Sequence, residues 1–425
     1  MIASLRLLAR LVLVLPLLLH PTSGLAQNDE LTQTSGPNTI YLPLVQAPPP
    51  PLIFVPGGTG SRLVNNKGEQ WPSMQRLFDS NDDAFLNVLR LAPDGNAPFA
   101  PSDPDYTSVR VGDILRLDTV SFLGATNTID TYQTTITTLT QAGYVEGRNL
   151  FVFAYDWRKD ITGQANLLLR EIDRVRVRTG ASKVNILAHS MGGMLTRTVL
   201  SNSNSHGKIN RVITLGTPVL GATKALGMLQ YQAPCFVEKP WFTGGGCATN
   251  EATFQNVLTN MPGAYQLLPS PLFDQAVGSA LYIDRDTNGD GKVEGFQSYD
   301  YWAGIVRSSR NANLVTQAKD YHAANDVLRP VDPAVEIIRV VGTGLNTPQY
   351  IRERCGNILC SDVIYNVEWD AKGGDGTVPL HSADLHNPLT GVDLRGSGRN
   401  FYASGVEHGA LARDATVLQL AIAFF

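Results

Sequence analysis

Asn185–Met194 reads NILAHSMGGM. Before it, Lys183–Ala188 is a short apolar run of the kind that forms a buried strand. After it, Gly192–Leu200, GGMLTRTVL, has helical spacing. Ser190 stands between the two, flanked by Ala188 and Gly192. A small residue, any residue, Ser, any residue, Gly, set between strand and helix, is the nucleophile-elbow pattern, here with alanine where glycine is commoner. The turn is sharp, so bulk at either flank collides with the neighbouring strand or helix. In return the serine Oγ stands clear at the end of the sheet. The helix N-terminus behind it adds positive potential, and the Met191 N–H is aimed where an oxyanion would form.

Strand and helix signals alternate on both sides of this turn. Leu52–Pro56, LIFVP, reads as a buried strand and runs into GGTGS. Ile129, Tyr132, Ile136 and Leu139 recur at helical spacing, and Gly143 ends that segment. LFVFAYDW from Leu150 reads as a strand entering a polar loop. Ile161, Ala165, Leu168, Ile172 and Val175 form a helical stripe closed by Gly180. VITLG, VEIIRVVG and NFYAS supply further strands. The alternation predicts an α/β fold, a mostly parallel sheet with helices on both faces. It fails between Gly221 and about Pro333, a stretch read as a cap inserted between two sheet strands. Residues from about 65 to 128, rich in Asp, Pro and Asn, read as irregular.

A serine nucleophile needs a base, and the base needs an orienting acid, in the chain order Ser, Asp or Glu, His. Of seven histidines, His408 follows a last strand and precedes the closing segment, where a base swings over the serine; His381 is the reserve. Asp375 lies in the glycine-rich turn GGDGTVP, which can deliver a carboxylate to an imidazole; Asp370 is the fallback. The loop after the first strand, VPGGTGS, offers a second oxyanion donor, the main-chain N–H of Gly58.

The 425 residues, 43% of them hydrophobic, suffice for a large core. A formal net charge of −4 with no basic stripe argues against nucleic acid as partner. Arg6 and Arg10 precede LVLVLPLLL, and Gly24 and Ala26 fit a cleavage site, so residues 1–26 read as a signal peptide and the mature protein as secreted or periplasmic. Residues 27–50 end in APPP and read as a proline-rich linker; residues 51–425 then form the folded domain, with its cap at about 221–333. In an oxidising compartment the four cysteines pair locally, Cys235 with Cys247 and Cys355 with Cys360. Within the first loop, Trp241 and Phe242 are candidates for contact with a lipid surface.

DRDTNGDGKVEGFQ, from Asp284, places Asp286, Asn288 and Asp290 at alternate positions before Gly291. Lys292 offers its carbonyl and Glu294 a carboxylate, while Gln297 replaces the final glutamate of an EF-hand-type loop. Structural calcium is the expectation there; the chemistry at Ser190 needs no cofactor.

Several stretches occurring in order resemble the lecithin:cholesterol acyltransferase family, which includes lysosomal phospholipase A2 and phospholipid:diacylglycerol acyltransferases. They are VPGGTGS, GYVEGRNLFVFAYDWR, AHSMGG, LGTP, VVGTGLNTP, GGDGTVP and EHG. The resemblance implies an α/β-hydrolase core with a cap and acyl transfer from a lipid ester. It implies Ser190 as nucleophile, Asp375 as acid, His408 as base and oxyanion amides at Gly58 and Met191. Asp156, Trp157 and Arg158 are expected to line or brace the mouth of the site. Two alternatives stay open: an esterase acting on small or polymeric esters, and a secreted calcium-binding protein without activity.

Overall fold

In this computed structural model the described residues are 50–79, 83–122, 125–235, 247, 249–273, 283–286, 296–297, 299–355, 363–387 and 392–425. The expected signal peptide and nearly all of the linker lie outside them. So do Trp241, Phe242, Cys360 and the calcium-loop residues Asn288, Asp290, Lys292 and Glu294. Asp286 and Cys355 are placed as strand backbone only.

Six strands build the central sheet: β1 (Leu52–Val55), β2 (Leu150–Val152), β3 (Val184–His189), β4 (Ile209–Leu215), β5 (Glu336–Thr343) and β6 (Arg399–Ser404). Their order is β6-β5-β4-β3-β1-β2, and every pairing is parallel. The register sets Val55 beside Ala188 and His189 beside Leu215, so the segments after β1, β3 and β4 leave the sheet together. Chain order reverses direction around β1 and β3, and a crevice opens at the carboxyl ends of the strands there.

Both sheet faces are buried, and the side-chain period of two sorts the residues. Ile53, Val55, Ile186 and Val212 face one way, onto Leu168, Ile172 and Val175 of α2 (Ile161–Thr179) and Leu195 and Val199 of α3 (Met191–Leu200). Leu52, Phe54, Leu187, Ile213 and Val340 face the other way, onto Ile136 and Leu139 of α1 (Gln133–Gln141) and Val417 and Ala421 of α4 (Ala415–Phe424). The α2 stripe is fully inside; each such aliphatic side chain contributes about 1.5–3 kcal/mol. Asp160 caps α2 by accepting the Gly163 N–H at 2.8 Å, and Gly180 ends it at φ 71°.

Three expectations need correction. Residues 65–128 are not irregular. Ser61–Asn65 pairs antiparallel with Gly68–Trp71 and with Arg110–Ile114, and Leu117–Phe122 pairs with Ala125–Asp130. Ile129 therefore belongs to a strand, and α1 begins only at Gln133. The strand expected across LFVFAYDW stops at Val152, because the residues after it turn away to brace the loop described below.

Between residues 221 and 333 lie helices Thr223–Leu226, Glu251–Leu258, Pro262–Gln266, Tyr299–Ser309 and Ala312–Asn325. Cys235 and Cys247 are joined by a disulfide. No helix among the described residues is long and apolar enough to cross a membrane.

Candidate active site

The end of β3 forces the backbone through a strained point: Ser190 has φ 53° and ψ −126°. A non-glycine residue at positive φ is rare and is held by its surroundings. Here the Ser190 N–H donates to the Leu215 carbonyl at 2.8 Å, and the Gly193 N–H returns to the Ser190 carbonyl at 2.9 Å. The sequence requirement for small neighbours has a physical cause. A Cβ on Gly192 would sit 2.3 Å from the Pro56 carbonyl oxygen, and one on Gly193 would sit 1.9 Å from Thr217 Oγ1.

Ser190 Oγ lies 2.8 Å from Nε2 of His408, and His408 Nδ1 lies 2.7 Å from Asp375 Oδ2. Asp375 follows a long antiparallel pair, Leu345–Cys355 with Val363–Gly374, and His408 follows β6. The carboxylate is 1% exposed. Its other oxygen accepts the N–H groups of Thr377 and Val378 at 3.0 and 2.7 Å, so both oxygens are satisfied without water. The His408 N–H also donates to the Asp375 carbonyl at 2.9 Å, fixing the two loops together. A carboxylate can only accept, so His408 carries its proton on Nδ1 and presents a bare Nε2 to the serine hydroxyl. Burial pushes the imidazole pKa down; the charge and hydrogen bond of Asp375 push it up and prevail, leaving it above the ordinary 6.5.

Two glycines unremarked in the sequence make room for this pair. A Cβ on Gly216 would meet Asp375 Oδ2 at 3.0 Å and His408 Nδ1 at 3.1 Å, and one on Gly342 would come 2.5 Å from the Asp375 Cβ. Their signal was present in LGTP and VVGTG, but only the fold brings those strand ends against the acid. Of the reserve residues, His381 Nδ1 points to the His386 carbonyl at 3.4 Å, and Asp370 is placed as strand backbone only.

Gly58 and Met191 adjoin one another beside Ser190. A Cβ on Gly58 would lie 3.1 Å from the Met191 sulfur, and one on Gly57 would lie 3.0 Å from the Ser190 Cβ. The Gly57 N–H is already committed to the Tyr132 hydroxyl at 2.8 Å.

A cavity of about 1000 Å³ opens over the serine, at the upper end of the usual range for ligand pockets. Its walls are mainly apolar. Met228, Leu258, Met261 and Leu267 come from the inserted region, and Trp157 from the loop after β2. Trp369, 47% exposed, stands at the rim, and Lys224 and Glu407 add charge.

Of the three residues expected at the mouth, only Trp157 lines the cavity. Arg158 and Asp156 brace the loop instead. The guanidinium makes a two-pronged contact with Asp156, 2.9 and 2.8 Å, and donates to the Leu89 carbonyl at 3.1 Å. Its donors point inward and Arg158 is 3% exposed, so it presents nothing to a ligand.

Residues 67–270 match the family described as Lecithin:cholesterol acyltransferase. Over that span, just under half of its length, the chain is similar to the lecithin:cholesterol acyltransferase family. A relative named Lecithin-cholesterol acyltransferase-like 4, from Arabidopsis thaliana, is 22% identical over 373 residues, which is 78% of this chain and 69% of that protein. The Homo sapiens protein named Lysosomal phospholipase A and acyltransferase is 27% identical over 204 residues, 42% of this chain and 49% of its own length. Among solved structures, a chain from the Tle4-Tli4 complex superposes with a TM-score of 0.54 at 13% identity, covering 89% of this chain and 98% of that one. The fold is that of the α/β-hydrolases. The lecithin:cholesterol acyltransferase match stops at residue 270, before the strands that carry Asp375 and His408. Those two are therefore placed by geometry.

Proposed function

We propose that this protein is a serine acyl hydrolase and acyltransferase acting on lipid esters through an acyl-enzyme on Ser190. The observation that carries the reading is the continuous contact from Ser190 Oγ through His408 to a buried Asp375 on the floor of a large apolar cavity. The names of the family and of its relatives support lipid as the substrate class.

In the reaction His408 Nε2 takes the Ser190 proton as Oγ attacks the ester carbonyl. The amides of Gly58 and Met191 hold the oxyanion, an arrangement in which each donor supplies about 10²–10³ in rate. His408 then protonates the departing alcohol, and an acyl chain remains on Oγ, housed against Met228, Leu258, Met261 and Leu267. Water, deprotonated by His408, releases a fatty acid; a lipid alcohol in its place receives the chain. Partition follows from how well the inserted region excludes water. The Cys235–Cys247 disulfide supports an exported protein.

The test is product analysis after incubation with vesicles of phospholipid bearing a labelled acyl chain plus a long-chain alcohol. Labelled fatty acid and labelled alkyl ester are both expected. Label confined to intact phospholipid, with turnover of a short p-nitrophenyl ester retained, would overturn the lipid assignment in favour of a small-ester hydrolase.

The protonation of His408 gives a second expectation. Only the neutral imidazole accepts the serine proton, so kcat/KM rises with pH through the His408 pKa and levels above it. That pKa lies above 6.5, so the acid limb has its midpoint on the alkaline side of 6.5. A midpoint below 6 in a pH–rate profile with a short p-nitrophenyl ester would contradict this geometry.

A further inference from the structure

Three residues beside the proposed triad form a second hydrogen-bonded chain. The Gly57 N–H donates to Tyr132 Oη at 2.8 Å, Tyr132 Oη lies 2.8 Å from His189 Nδ1, and His189 Nε2 lies 3.0 Å from the carbonyl oxygen of His408. The proton positions follow from the ends. A carbonyl only accepts, so Nε2 of His189 is protonated. Nδ1 is then the acceptor, and the Tyr132 hydroxyl must give it its proton. The Tyr132 oxygen keeps its lone pairs for the Gly57 amide. Every donor and acceptor has one orientation.

This chain is buried beside the cavity: Tyr132 is 3% and His189 5% exposed. Burial pushes the His189 pKa down to about 3, so the ring stays neutral across the working range. Phe54 packs edge-on against Tyr132 with centroids 5.0 Å apart, and the Tyr132 and His189 rings meet at 71°. Rotation of Tyr132 or His189 breaks two contacts in a buried site, where an unpaired polar group is costly.

We propose that Tyr132 and His189 are positioning residues that lock the oxyanion loop Pro56–Gly60 to the segment carrying His408. The proposal rests on the acyl-transfer reading of Ser190. With the Gly57 amide anchored on Tyr132, the Gly58 amide is the next donor in the loop and is held beside Ser190. With its carbonyl held by His189 and its N–H held by Asp375, His408 is pinned on both sides of its α-carbon. One rigid chain thus sets the distance from the nucleophile to its base and to its oxyanion donors. A misplacement of about 1 Å in such distances is enough to cost about 100-fold in rate.

Tyr132→Phe removes one oxygen and leaves the ring. The expected result is a kcat lower by about 10- to 100-fold with KM within about twofold, and fluorophosphonate labelling of Ser190 slowed by a similar factor but still complete. The acid limb of the pH profile stays in place, because Asp375 is untouched. His189→Gln can still accept from Tyr132 and donate to the His408 carbonyl, and it keeps kcat within about fivefold. His189→Met, of similar bulk without polar hydrogens, loses about as much as Tyr132→Phe. The double variant Tyr132→Phe with His189→Met is no slower than the worse single, as expected of one unit. Equal kcat for the Gln and Met variants, or a Tyr132→Phe kcat within twofold of the parent, overturns the positioning role. Should Tyr132→Phe fail to fold, the His189 pair decides alone. Failure of the underlying reading looks different: the parent protein itself would not be labelled at Ser190.

Discussion

Asp375→Asn lowers kcat on short esters by about 10⁴ while the protein still folds. The size of the effect comes from the tautomer. Asp375 Oδ2 accepts the proton on His408 Nδ1, which leaves Nε2 bare toward Ser190 Oγ. An asparagine keeps its Oδ1 on the N–H groups of Thr377 and Val378, because those two donors demand an acceptor. Its amide nitrogen then faces His408 and donates. The imidazole must turn its lone pair to Nδ1 and its proton to Nε2, where it opposes the serine proton. The base is still present but holds its proton at the wrong end. Loss of the negative charge also removes what stabilises the imidazolium formed during attack. Steady-state kinetics with a p-nitrophenyl ester and a melting curve check this together. A kcat within tenfold of the parent, with Tm unchanged, would mean that Asp375 does not orient the base.

Much of this arrangement was legible in the residues. The strand–Ser–helix turn at Ser190 was readable because its constraint is local: a side chain has no room at 192 or 193. The α2 stripe was readable because one helix face meets one sheet face. His408 and Asp375 followed from chain order and from the glycine-rich turn. The region from 65 to 128 was misread for a physical reason. Ser61–Asn65 finds a partner in Arg110–Ile114, across dozens of intervening residues, and its strands are too short to show a period of two by themselves. Asp156 and Arg158 were expected to line or brace the mouth; in the fold they pair with one another and brace. The chain through Tyr132 and His189 was invisible. His189 adjoins the serine in sequence and could be set aside as a base on that ground, and nothing local ties it to Tyr132, 57 residues away. Gly216 and Gly342 escaped notice likewise, since the space they leave belongs to an acid far along the chain.

The second large effect belongs to Ser190. Replacing Oγ by hydrogen removes the atom that His408 Nε2 contacts at 2.8 Å, so kcat falls by on the order of 10⁴–10⁶ to what oxyanion amides and binding alone supply. Ser190→Ala leaves the turn intact, since its N–H and carbonyl contacts are main chain. The most direct measurement is covalent capture. In a fluorophosphonate the serine oxygen attacks phosphorus, fluoride leaves, and the proton passes to His408. The parent protein is expected to gain the mass of one phosphonyl group, mapped by peptide sequencing to Ser190, and the Ser190→Ala protein to gain none. An adduct on another residue of the parent, or an undiminished adduct on Ser190→Ala, would contradict the account.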